Sequence, residues 1–174
     1  GVASDIARVA WPGGQACVKF ALERLRVAAD YQVLDPFGII GELDDIIPRC
    51  TTVTLVRVGD LREGNPMTLY AAERLDWQEP TALAFTLREG LQWTNGHGPV
   101  TAEDVKFRFE RIRGSDSPWA YQFEMMDRVD VTDARSGVIR LTRPFAPFPI
   151  IALPYYGGHL VSKAAVKAAG GSFT

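Results

Sequence analysis

The chain has 174 residues, 21 acidic against 19 basic, a net charge of −2 and 47% hydrophobic residues, with 16 glycines and 11 prolines. This ordinary globular balance excludes collagen-like, low-complexity and broadly disordered chains and predicts a real core. The absence of a block of like charge removes the electrostatic footprint for nucleic acid or an anionic membrane, and the apolar runs are shorter than the ~20 residues needed to span a bilayer.

Numbering opens at Gly1, and no basic region followed by an apolar stretch of the targeting type is present. Any export segment is therefore expected to have been removed or to lie outside these residues. Over residues 15–29, Val18, Phe20, Leu22, Leu25 and Val27 predict one or two strands, and Asp35-Pro36 then predicts a loop. Cys17 and Cys50 read as strand-edge residues with one possible pairing, which defines no disulfide framework. Gly14, Gln15 and Ala16 do not form the apolar approach expected of a lipidated N-terminal cysteine.

Residues 51–58 alternate at period two and predict a half-buried strand turned by Gly59-Asp60. A second strand over 83–87 places Leu83, Phe85 and Leu87 on one face, with Ala84, Thr86 and Arg88 on the other. Segment 69–75 is expected to pair with it through a turn at 78–81. Residues 101–112 have helix grammar: Thr101 as cap, Asp104 three residues on, and Val105, Phe109 and Ile112 on one face, with Gly114 as the stop. Residues 129–131 and 138–141 predict a hairpin around a polar turn ending in Ser136-Gly137. Pro144, Pro147, Pro149 and Pro154 predict an extended connection without a regular helix. A short helix capped by Ser162 and ended by Gly170-Gly171 follows.

The chemistry-bearing residues are sparse. His97 and His159 each stand in a glycine-bearing loop, with no cysteine, histidine or glutamate at metal-ligand spacing, so neither a metal site nor a cofactor is expected. Ser162 lies three residues from His159 without an elbow or oxyanion motif, and the pair reads as chance proximity rather than a hydrolase. Glu103 and Asp104 fall in the first turn of a helix, where carboxylates cap free N–H groups. Asp44-Asp45 fits either a solvated helix start or the lining of a cleft. The NGHG run at 95–98 lacks phosphate-loop spacing and reads as a turn. Trp119, Tyr121 and Phe123, then Met125-Met126 and Tyr155-Tyr156, fit either core packing or the wall of a binding cleft.

Across residues 84–112, AFTLREGLQWTNGHGPVTAEDVKFRFERI resembles the signature of family 5 extracellular solute-binding proteins, the peptide- and nickel-binding components of ABC importers. LREG at 87–90, Trp93, Asn95-Gly96, Pro99 and TAEDV at 101–105 stand in the family's order. LRVA at 25–28 with LDP at 34–36, AAERL at 71–75, TRPFAPF at 142–148 and VSKAAV at 161–166 extend the resemblance over most of the chain. The turn at 94–98 carries an extra residue relative to the family's histidine-aspartate-glycine turn, Arg74-Leu75 replaces a common serine-tryptophan, and residues 1–24 match no part of the pattern.

The resemblance implies an α+β (mixed α/β) fold, periplasmic-binding-protein-like type II. Residues 25–174 would form part of the first lobe, a β-rich subdomain with short helices, and residues 1–24 remain an unplaced strand pair or linker. It implies a substrate-binding component that captures a small solute, a peptide first and nickel or a sugar next. That component would work on the outer face of the cytoplasmic membrane or in the periplasm, and would deliver the solute to a membrane permease by lobe closure rather than by chemistry. The loop after the LDP turn, Phe37, Gly38, Ile39, Ile40, Gly41 and Glu42, maps to a family ligand contact, and Trp119 and Tyr121 are the second choice. Family chains continue into a second lobe, so isolated 1–174 is expected to show no specific solute binding. A ligand-sensing domain of a transcriptional regulator is the alternative, and a hydrolase using His159 stands behind it.

Overall fold

A computed structural model describes residues 9–10, 52–59, 62, 64 and 67–171. The expectations for residues 15–50, including both cysteines, Asp44-Asp45 and the loop from Phe37 to Glu42, lie outside the described residues.

The centre is a four-stranded antiparallel sheet, built from β4 (Ala72–Glu79), β5 (Ala82–Leu87), β8 (Ser136–Leu141) and β7 (Met126–Val131), in that spatial order. Its β5 strand carries the predicted alternation: Leu83, Phe85 and Leu87 are buried while Ala84 and Thr86 are half-exposed. Two short pairs accompany the sheet. β2 (Val56–Val58) pairs with β3 (Met67–Leu69), and β1 (Val9–Ala10) pairs with β6 (Gln92–Trp93), both antiparallel.

Over one face of the sheet lies α1 (Ala102–Ile112), which places Val105, Phe109 and Ile112 fully out of water, as the spacing predicts. Phe109 meets Phe123 with ring centroids 5.0 Å apart, and Phe123 meets Phe148 edge-on at 5.9 Å. These rings join Met126, Val129, Ile139 and Leu141 of the hairpin in one core. α1 also closes the outer edge of the sheet. The Glu110 carboxylate accepts the Val129 backbone N–H at 3.1 Å, and the Arg113 guanidinium donates to the Asp127 carbonyl. An edge strand with its groups occupied this way is protected from pairing with another chain.

Four local expectations are corrected. Residues 51–58 do not form one half-buried strand: Thr52 to Val56 are all buried, Val53 makes an isolated bridge to Leu160, and only Val56–Val58 is strand. Burial on both sides removes the alternation that the residue pattern suggests. The partner of β5 starts at Ala72 rather than 69 and runs to Glu79, because Leu69 belongs to β3, and the turn narrows to Pro80-Thr81.

Ser136 and Gly137 lie inside β8 rather than in the turn, which occupies 132–135. Gly137 is needed there for space, since a Cβ would stand 2.8 Å from both the Asp130 carbonyl oxygen and the Phe85 ring. The proline run contains a single helical turn, α2 (Phe148–Ile151), with Pro149 in its first turn, where a missing N–H costs nothing. The end of α1 falls where expected: the helix closes at Ile112, the Arg113 N–H returns to the Phe109 carbonyl as the cap, and Gly114 follows directly in the turn.

The last helix, α3 (Lys163–Ala168), follows the expected grammar. Ser162 Oγ accepts the Ala165 N–H at 3.2 Å, and Gly170 and Gly171 leave the helix at φ 79° and 107°.

Candidate functional site

The site begins with a buried polar run. Thr52, Val53, Thr54 and Leu55 run alongside the 158–160 segment, where the Leu160 N–H donates to the Val53 carbonyl at 2.7 Å. That bridge sets Thr52 beside His159, and Thr52 Oγ1 lies 2.7 Å from His159 Nδ1 with both residues buried. A buried hydroxyl and imidazole each need a partner, and here they satisfy one another.

His159 reaches this position because a 3-10 turn at Tyr156–Gly158 folds the chain tightly back after α2. Gly158 has no room for a side chain: a Cβ would meet the Leu153 carbonyl carbon at 2.6 Å and the Ala152 carbonyl oxygen at 2.9 Å. The close approach of two backbone segments therefore requires glycine at this point.

From the other side, β2 presents Arg57, an exposed residue whose guanidinium carbon sits 3.3 Å from the centroid of the Tyr70 ring. A cation–π contact of this kind holds the guanidinium over the ring without neutralising its charge. Thr52, Thr54, Arg57, Val58, Tyr70, Pro154 and His159 together line a cavity of about 280 Å³. That volume accepts one functional group and a few carbons of a solute rather than a large ligand. Thr54 Oγ1 is turned away to its own strand, donating to the Val56 carbonyl at 2.6 Å.

A second aromatic group stands beyond Pro154. Trp119 stacks on Tyr156 with centroids 4.3 Å apart, and the exposed Tyr121 ring lies 6.4 Å from Trp119. Phe123, third in that alternation, is core. The structure thus brings Trp119 and Tyr121 together but does not place them among the cavity-lining residues.

His159 faces Thr52 and not Ser162, whose hydroxyl caps α3. His97 sits in the predicted turn, where Asn95, Gly96 and Gly98 all adopt positive φ. Among the described residues no group of three histidine, cysteine or acidic side chains is spaced to hold a metal.

Reasoning from sequence had not singled out Thr52, Thr54, Arg57 or Tyr70. The signal that could have found them is weak: two threonines in a run too apolar to expose them, followed by an arginine. Arg108 was also missed. It is fully buried within α1, and its Nη2 donates to the Tyr156 carbonyl at 3.1 Å, tying the helix to the turn that presents His159.

Away from the cavity, the solvent face of the hairpin carries an ion network. Arg140 and Arg128 hydrogen-bond Asp130 at 3.0 and 2.9 Å, and hold its carboxyl below the usual aspartate range. Asp130, then Asp127, raises the Arg128 guanidinium in return. Asp133 is lowered by the backbone N–H of Arg135 and by Ser136 in the hairpin turn.

Among known proteins, the chain is 29% identical over 166 residues to the probable D,D-dipeptide-binding periplasmic protein DdpA of Escherichia coli (strain K12), covering 90% of this chain and 31% of that one. The solved structure of the PBP/SBP MoaA from A. tumefacien R10, in complex with mannopinic acid, superposes with a TM-score of 0.72 at 26% identity, over 81% of this chain and 29% of that one. The murein tripeptide binding protein MppA of Escherichia coli superposes with a TM-score of 0.67 at 21% identity, over 82% and 31%. The chain spans less than a third of the length of each of these relatives. The fold is the α+β, type II periplasmic-binding-protein-like architecture, of which these residues supply part of a lobe. Residues 68–171, more than half of the chain and the whole α1-to-α3 segment described above, match the bacterial extracellular solute-binding proteins, family 5 Middle, and the chain belongs to that family.

Proposed function

We propose that this chain forms part of the capture site of the substrate-binding component of an ABC importer, which takes up a small solute outside the cytoplasmic membrane and passes it to a permease. Family membership over residues 68–171 carries this reading. A peptide is the favoured solute, in keeping with a curated relative described as D,D-dipeptide-binding and a solved one described as murein tripeptide binding. A sugar or nickel comes next, and mannopinic acid joins the candidates because the 26%-identical MoaA was solved with it.

The mechanism is binding without bond making. The cavity beside the Thr52–His159 pair offers hydrogen-bonding groups on rigid elements, and among the described residues no nucleophile in it is paired with an oriented base and an oxyanion hole. Trp119 and Tyr121, and the loop of Phe37, Gly38, Ile39, Ile40, Gly41 and Glu42 that the family resemblance maps to a ligand contact, are the further solute contacts of this reading. Residues 25–174 act as one partial lobe, and exclusion of water follows when a second lobe closes over the solute. Export to the periplasm or to the outer face of the cytoplasmic membrane is supported by the family's extracellular character.

The test is calorimetry on the protein produced from its complete reading frame, with dipeptides, tripeptides, mannopinic acid and nickel as titrants. The expected result is saturable binding of one class, with the solute recovered chemically unchanged by mass spectrometry. Conversion of the solute would replace capture with catalysis.

A further inference from the structure

Resting on the capture reading above, we propose that the group of the solute received by the Arg57 cavity is a carboxylate, held in a charge-assisted hydrogen bond by the Arg57 guanidinium. Three observations converge on this. First, among the described residues the cavity lining holds one permanent cation, Arg57, and no aspartate or glutamate, a balance that favours an anion over an ammonium group. Second, Arg57 differs from the ion-paired arginines among the described residues. Arg128, Arg135 and Arg140 each sit in ion pairs with acidic side chains, and Arg74 faces Asp76. Arg57 makes its recorded contact with an aromatic face, which orients the guanidinium without neutralising it. Third, the supporting shell is rigid: Tyr70 and Leu55 are joined by a backbone hydrogen bond of 3.0 Å, and Arg57 lies within the β2–β3 ladder opposite Thr68.

A planar guanidinium fork held over a ring suits the planar, two-oxygen geometry of a carboxylate. The shared chemistry has two sources, the C-terminal carboxylate of a peptide and the acid group of a sugar acid. The size of the cavity admits either group with a few neighbouring carbons.

The experiment titrates the protein from its complete reading frame with matched pairs: trialanine against trialanine amide, and gluconate against glucose. Wild type, Arg57→Gln and Arg57→Lys are compared. In wild type the acid of one pair is expected to bind at least about tenfold more tightly than its neutral partner. Arg57→Gln should erase that preference with at most a small drop in melting temperature, since the side chain is exposed and loses only the Tyr70 contact, and Arg57→Lys should retain only part of the preference. Whichever pair shows the preference identifies the source of the carboxylate. Equal binding of acid and neutral partner in wild type, or a preference that survives in Arg57→Gln, overturns the proposal and leaves solute capture standing. Absence of binding by all four probes overturns the carboxylate assignment; if the broader panel of peptides, mannopinic acid and nickel is then also silent, the capture reading falls with it.

Discussion

The Asp104 carboxylate binds the backbone N–H of Lys163 at 2.9 Å, joining the first turn of α1 to the first turn of α3 across 59 residues of sequence. Its other oxygen accepts from the Trp93 indole at 3.1 Å and from the Thr101 N–H and hydroxyl at 2.9 and 3.0 Å. One buried carboxylate therefore fixes a strand, a loop and two helices. The residue that reads as a helix cap in the sequence is also the tie that sets where α3, and with it the His159 turn, meets the rest of the fold.

Asp104→Ala should destabilise the protein by about 3 kcal/mol or more, because it strands several buried donors at once. Asp104→Asn keeps the shape but loses acceptor capacity at one atom and should fall between the two. Denaturant melts followed by Trp93 fluorescence would read both. A loss below about 1 kcal/mol in the alanine variant would mean that the four hydrogen bonds do not hold these elements together.

Thr52→Val preserves volume and removes the hydroxyl opposite His159 Nδ1. The expected cost is about 1–2 kcal/mol, since the imidazole loses a buried partner. The His159 ring signals in an NMR spectrum should also shift between the two proteins. An unchanged His159 resonance would remove the pair from the architecture of the cavity.

Gly158→Ala forces a methyl group into the carbonyls of Ala152 and Leu153, which are backbone and cannot rotate away. We expect a loss of about 2–4 kcal/mol, within the range of overpacked or strained sites, and displacement of His159 from Thr52. Gly114→Ala, at a position with open space around it and ordinary φ, serves as the contrast and should be neutral or mildly stabilising.

Asp130 predicts an acid-side effect. Its folded-state affinity for a proton is lowered by Arg140 and Arg128, so the folded protein binds that proton less readily than the unfolded chain. The stabilisation is complete above the unfolded aspartate range, near pH 4–5, and is lost as pH falls through the lowered folded value. Asp130→Asn should therefore be slightly less stable than wild type at neutral pH, with the difference closing as pH falls through the lowered folded value. Urea midpoints across that range would show it; high salt should shrink the gap, because the network is on the surface.

The local grammar of this protein was legible in its sequence. Period 3.6 in 101–112, alternation in 83–87, and the Ser162 cap before Gly170-Gly171 each reflect one element meeting one apolar face, and each appears where the residues place it. The family was legible for a related reason: its signature over 84–112 is a contiguous strand, turn and helix, so its pattern survives in linear order. Tertiary structure decided what depends on distant segments meeting. Threonines at 52 and 54 are buried because residue 160 pairs with residue 53, a contact no local pattern encodes. Arg57 becomes a cavity cation because Tyr70, thirteen residues on, lies beneath it across the β2–β3 pair. Sequence shows which residues prefer a helix or a strand, since that preference is set by neighbours along the chain; a binding site is assembled from residues whose only relation is through space.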